Sequence, residues 1–216
     1  MKFHTVLFDL DGTITDSAEG IMNSIRYAIK KAGKEIPDYE TLRSFIGPPL
    51  YKQFMKVYGV SEAEGKEMLS FYREYYGEKG IFENRVYDGV MEMLRTLKES
   101  GICICMATSK PEYYAKIIAE HFGFAEYFHY IGGATMDSSR KTKHDVIEYV
   151  IESCGLKDRS GILMVGDRKH DIEGAELSRI PSMGVLYGYG GQDELEQAGA
   201  GVIVASPEEA VDFILG

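Results

Sequence analysis

Short apolar runs alternate with amphipathic stretches along most of this chain, and that alternation restricts the fold more than any other feature of the sequence. The runs at 5–8, 102–107, 129–131, 162–165, 183–186 and 201–204 are too short for helices and rich in strand formers. Between them Val90, Leu94 and Leu97 recur at helical spacing before Gly101. Tyr114, Ile117, Ile118 and Phe122 do so before Gly123, and Val146, Ile147, Val150 and Ile151 before Gly155. A glycine just past the last apolar residue is what a helix C-cap prefers. Strand–helix–strand repetition of this kind predicts an α/β fold, a doubly wound parallel sheet covered by helices on both faces.

One region breaks the pattern. From 17 to 84 the sequence offers helical stripes and no convincing strand. Ile21, Ile25, Ala28, Ile29 and Ala32 form one stripe, closed by Gly33; Asp38 is placed as an N-cap; Leu50, Phe54 and Val57 form another stripe. Ser61 with Glu64 is a capping box opening a helix that carries Met68, Phe71, Tyr72, Tyr75 and Tyr76. The expected organisation is a core domain of 1–16 and 85–216 with an inserted four-helix domain of 17–84. A helical module placed directly after a site-bearing strand has the position of a lid.

The strand ends carry the chemistry. The first apolar run ends in Asp9-Leu10-Asp11-Gly12-Thr13 and the fourth core run in Gly166-Asp167-Arg168-Lys169-His170-Asp171. Each pair alone could be turn and cap residues. In a parallel sheet, however, the carboxyl ends of the strands share one edge, where ligands bind. Carboxylates gathered there repel one another unless a hard cation sits among them, and Mg²⁺ takes oxygen ligands of this type. The second core run ends in Thr108-Ser109-Lys110-Pro111, a hydroxyl followed by a helix start that suits an anion. After the third, Arg140, Lys141 and Lys143 cluster at the head of a helix.

That cluster matters because the formal net charge is -10. Such a chain does not suit nucleic acid or an anionic membrane, and it needs local positive charge to hold a phosphorylated ligand. Cys103 and Cys105 alternate along ICICM and so share a strand face as core residues, with no zinc-type spacing. The N-terminus runs into the first strand without a signal-peptide h-region, from which a cytoplasmic protein is expected.

Together these motifs resemble the haloacid-dehalogenase-like superfamily, in its phosphoglycolate-phosphatase-like branch with a helical cap. DLDGT at 9–13 resembles the first motif, Thr108 the second, Lys143 the third and GDRKHD at 166–171 the fourth. The resemblance covers nearly the whole chain and implies a Rossmann-like core. It also implies a Mg²⁺-dependent phosphatase acting on a small phosphorylated metabolite, phosphoglycolate- or 5′-nucleotide-like, through an aspartyl-phosphate. Asp9 would be the nucleophile and Asp11 the general acid and then base. Thr108 and Lys143 would hold the phosphoryl group, with Ser109 beside them on the substrate. Asp9, Asp11 through its backbone carbonyl, and Asp167 would hold the metal, and Asp171 would orient that shell or Lys143. Lys141 stays open as the alternative to Lys143.

Asp11 also discriminates within the resemblance. Dehalogenase and phosphonate-cleaving members lack this second acid, and Lys52 is accordingly read as a solvated helix residue. A sugar-phosphate mutase of the β-phosphoglucomutase type keeps both acids and remains the alternative. In the insertion, RSFIGPPL at 43–50 is the candidate specificity segment, with Arg43 and Gly47 as substrate-binding residues. The expected state is a monomer or homodimer.

Overall fold

A computed structural model describes residues 2–46, 49–137 and 139–216. The chain forms two compact units, one of 1–16 with 85–216 and one of 17–84.

The larger unit is built on six parallel strands. These are β1 (Thr5–Phe8), β4 (Cys103–Pro111), β5 (Tyr130–Ala134), β6 (Ile162–Gly166), β7 (Ser182–Val185) and β8 (Val202–Val204). Their order is β5-β4-β1-β6-β7-β8, with every neighbouring pair parallel. β1 is therefore central, as its Val-Leu-Phe run demands. Phe8 pairs with Met106 on one side and Val165 on the other. The residues that follow, Asp9, Ala107 and Gly166, lie side by side toward the carboxyl edge of the sheet.

Both faces of the sheet are covered, which explains why the strands are apolar throughout rather than alternating. Leu7, Cys105, Ala107 and Met164 pack against Val146, Ile147, Val150 and Ile151 of α7 (Lys143–Ser153) and Ala175 of α8 (Lys169–Leu177). Val6, Phe8, Ile104, Met106, Leu163 and Val165 alternate with them and are equally buried. The remaining helices of this unit are α5 (Val90–Glu99), α6 (Glu112–His121), α9 (Gln192–Gln197) and α10 (Pro207–Leu215). The α/β architecture read from the sequence is the one observed.

Two differences in detail have physical causes. β4 continues past its expected end at 107, because Thr108 and Pro111 go on pairing with Gly133 and Ala134 of β5 across an irregularity. In addition, β2 (Thr15–Asp16) and β3 (Arg85–Val86) form an antiparallel ribbon where the chain leaves for and returns from 17–84. Two-residue strands have too little sequence to show a period.

The smaller unit is helical: α1 (Ala18–Lys31), α2 (Tyr39–Arg43), α3 (Leu50–Tyr58) and α4 (Glu62–Tyr75), followed by a π-helical turn at Tyr76–Gly80. Its core joins Ile25, Ala28, Ile29, Leu42, Phe45, Phe54 and Met68. Asp38 caps α2 by accepting from the Thr41 N–H, and Ser61 and Glu64 form the reciprocal capping box of α4. No helix among the described residues is long and apolar enough to cross a membrane.

Candidate active site

The site begins where β1 stops. The Asp9 N–H still donates to Val165 O at 2.9 Å, extending the sheet by one residue. The chain then turns sharply, and the N–H groups of Thr13, Ile14 and Thr15 all converge on Leu10 O. Gly12 makes this turn possible. It sits at φ +89°, and a Cβ there would lie 2.2 Å from Asp167 Oδ2.

Asp9 is buried, and the group facing it is Lys143, the first residue of α7, which is only 5% exposed. Lys143 Nζ lies 2.8 Å from Asp9 Oδ1 and 2.7 Å from Asp171 Oδ1, and it donates to Ala107 O at 2.9 Å. Burial works against the ammonium, but the Asp171 and Asp9 carboxylates outweigh it and raise the lysine's pKa. The amine is thus a fixed positive charge.

Asp167 follows β6, and Asp171 lies in the first turn of α8. Asp167 Oδ2 accepts the Tyr189 N–H at 2.7 Å, Thr13 Oγ1 lies 3.4 Å from Oδ1, and Asp171 Oδ2 accepts the Arg168 N–H at 3.0 Å. Oxygens of Asp9, Asp167 and Asp171 come within 4.8 Å of one another. Burial first, then the Asp171 and Asp9 carboxylates, push the Asp167 carboxyl up to about 8. Burial also raises Asp171, opposed by Lys143 and reinforced by Asp9.

Lys143 thus pairs with two of the three buried acids, and Asp167 is left without it. The two oxygens nearest Lys143, Asp9 Oδ1 and Asp171 Oδ1, are within ion-pair distance yet have no aligned hydrogen bond. Oxygen donors with surplus negative charge and unused lone pairs fit a hard divalent cation. The carboxylate of Asp11 is not part of this acidic group. Its Oδ2 lies 2.7 Å from Lys110 Nζ, and its Oδ1 is buried without a hydrogen bond.

Of the other candidates, Thr108 is buried in β4, just before its irregularity, and accepts the Lys110 N–H through Oγ1 at 3.2 Å. Ser109 and Lys141 are exposed. Arg43 is exposed at the end of α2 in the helical unit, and Gly47 lies outside the described residues.

Sequence reasoning missed Lys110, which the pattern TSKP shows only as a residue beside a candidate hydroxyl. The glycine-rich loop at 188–191 packs on the acids: a Cβ on Gly188 would lie 2.2 Å from Gly12 O and 2.4 Å from Asp167 Cβ. The Tyr189 hydroxyl donates to Asp16 Oδ1 at 3.1 Å, and Arg85 binds Asp16 Oδ2 at 3.0 Å. The loop is thereby tied to the β2–β3 ribbon.

The arrangement offers a carboxylate next to a fixed ammonium, a second carboxylate with one unengaged oxygen, a buried hydroxyl and a cation-competent acidic group. Comparison with known proteins bears on this set. The family model described as haloacid dehalogenase-like hydrolase matches residues 6–185. A Pseudomonas aeruginosa protein named 5′-nucleotidase is 43% identical over 90% of this chain and 88% of its own. A phosphoglycolate phosphatase of Agrobacterium fabrum is 30% identical over 85% of this chain and 80% of its own. A crystal structure described as a predicted phosphatase from Clostridium acetobutylicum superposes with a TM-score of 0.91 at 44% identity, covering 100% of this chain and 99% of that one.

Proposed function

We propose, since this chain belongs to the haloacid dehalogenase-like hydrolase family and is a phosphoric monoester hydrolase, that Asp9 attacks the phosphorus of a small phosphorylated metabolite. The observation that carries this is the Asp9 carboxylate held 2.8 Å from the Lys143 ammonium at the carboxyl end of the central strand. The Asp9–phosphorus bond forms as the bond to the leaving oxygen breaks, and Asp11 gives that oxygen a proton. The Asp11 carboxylate then takes a proton from water as the water oxygen attacks phosphorus, which frees phosphate and Asp9. Lys110 pins one oxygen of Asp11 and leaves the other for the transfer. Lys143 and the Thr108 hydroxyl hold the phosphoryl oxygens as charge builds on them. Asp171 keeps Lys143 in place.

Mg²⁺ would be held by Asp9, Asp167 and the Asp11 backbone carbonyl, and when bound it supplies the charge that lets a phosphate approach these acids. Tyr189 and Thr13 orient Asp167 for that role.

The substrate class favoured is the 5′-nucleoside monophosphate, because a relative matching 90% of the chain carries the name 5′-nucleotidase. Phosphoglycolate is the second reading, on the Agrobacterium relative. A mutase is not favoured. Phosphate release with Mg²⁺ from a panel of 5′-nucleotides, phosphoglycolate and sugar phosphates tests these readings. The highest kcat/KM is expected on a 5′-nucleotide. Conversion of a sugar 1-phosphate to its 6-phosphate without phosphate release would overturn hydrolysis. Assignment of Arg43 to the substrate is tested by Arg43→Ala, which should raise KM for the selected substrate and leave p-nitrophenyl phosphate turnover nearly unchanged.

A further inference from the structure

At the opposite end of β4 from Thr108, the three cysteines of the chain form a line. Cys103 Sγ lies 4.0 Å from Cys105 Sγ, and Cys105 Sγ lies 3.9 Å from Cys154 Sγ. Cys105 is fully buried under α7, whereas Cys103 is partly exposed. Cys103 also lines a surface cavity of about 510 Å³ with Lys98, Glu126, Tyr127, Phe128 and His129. That volume is in the range of small-molecule sites, roughly 300–1,000 Å³.

We propose that Cys103 is a modification site that forms a stable mixed disulfide with small-molecule disulfides. The Cys103 thiolate attacks one sulfur of the small disulfide, the S–S bond breaks, and the second sulfur leaves as a thiolate that takes up a proton. Nothing else is oxidised or reduced. The thiolate is favoured where it stands: the contact with the Cys105 thiol outweighs burial and lowers the Cys103 pKa, and His129, Thr5 and His4 add to this.

The geometry also decides against an internal bridge. Cys103 and Cys105 are two apart on one strand, so their Cα atoms are about 6.6 Å apart, near the upper limit for a disulfide. A bridge would have to bring sulfurs that stand 4.0 Å apart to about 2 Å. Cys105 is paired to β1 and β5 on both sides and cannot yield easily. Its thiol is also pushed far up, by the Cys103 contact and by burial, and is a poor attacking group. Cys154 is also partly exposed, but its sulfur approaches Cys105, at 3.9 Å, and it does not line the cavity. The adduct therefore stays on Cys103 until an external thiol removes it.

The test is intact-mass and peptide mapping after exposure of the full chain to oxidised glutathione. The expected result is one glutathionyl group on Cys103, removed by dithiothreitol, retained in Cys154→Ser and lost in Cys103→Ser. Phosphatase activity of Cys103→Ser should stay within about twofold, since some five residues of strand, about 16 Å, separate it from Thr108. An adduct on Cys154, equal labelling of Cys103→Ser, loss of two hydrogens without an adduct, or no reaction would each overturn the proposal.

Discussion

Lys143 shows how much one side chain carries. It is ion-paired with two buried acids, Asp9 and Asp171, so its removal has two consequences. Lys143→Met should lower kcat by about 10²–10³, the scale of one lost contact to developing charge. It should also destabilise the fold by about 3–5 kcal/mol, because Asp9 and Asp171 are left buried without their partner. Lys141→Ala, at an exposed position, should do neither. Steady-state kinetics and denaturant unfolding on both variants check this, and equal losses would remove Lys143 from the phosphoryl site. The two lysines look alike in the sequence because they are two residues apart on a basic segment. What separates them is that the helix begins at Lys143, which turns its amine toward the strand ends. Lys110 was harder to see. It meets Asp11 across a separation of 99 residues, and no local pattern encodes such a contact.

Among elements, the strands were legible and the loops that finish the site were not. β1 and β6 stand out because they are buried on both faces and must be apolar throughout. The reason for glycine at 188 lies in tertiary structure alone, in the space between Gly12 O and Asp167. Gly188→Val should therefore displace the Asp167 side chain and the Tyr189 amide that orients it. The expected outcome is Mg²⁺ activation shifted to at least about tenfold higher concentration, the scale of losing a ligand-orienting partner. Titration of activity against Mg²⁺ measures it. An unchanged activation curve would mean that this loop only fills space.

For the whole molecule, the concentration of buried acid makes stability depend on pH and metal together. Without metal, the folded state holds the Asp167 carboxyl up to about 8 through burial and its acidic neighbours. The unfolded chain loses that proton near the ordinary carboxylate value. The folded state thus binds more protons between these limits, and stability falls as pH rises through them. Metal-free protein should lose a few degrees of Tm between about pH 5.5 and pH 8, at about 2–4 °C per kcal/mol for a chain of this size. Mg²⁺ needs the carboxylate, so it should raise Tm more at the higher pH. Asp167→Asn should flatten both trends, and a Tm independent of pH and Mg²⁺ in the native chain would contradict the acidic cation site. If Asp9 is the proposed nucleophile, it becomes covalently phosphorylated during turnover and can be trapped in that state. Rapid quenching with substrate and Mg²⁺, followed by borohydride reduction, converts an aspartyl-phosphate to homoserine. Fragment-ion mass spectrometry of the peptide containing FDLDGTITDS then locates it. Homoserine is expected at position 9 and not at 11, only when substrate is present, together with a loss of at least about 10³ in kcat for Asp9→Asn. Full turnover in Asp9→Asn, or homoserine at 11 in the native chain, would contradict the nucleophile assignment.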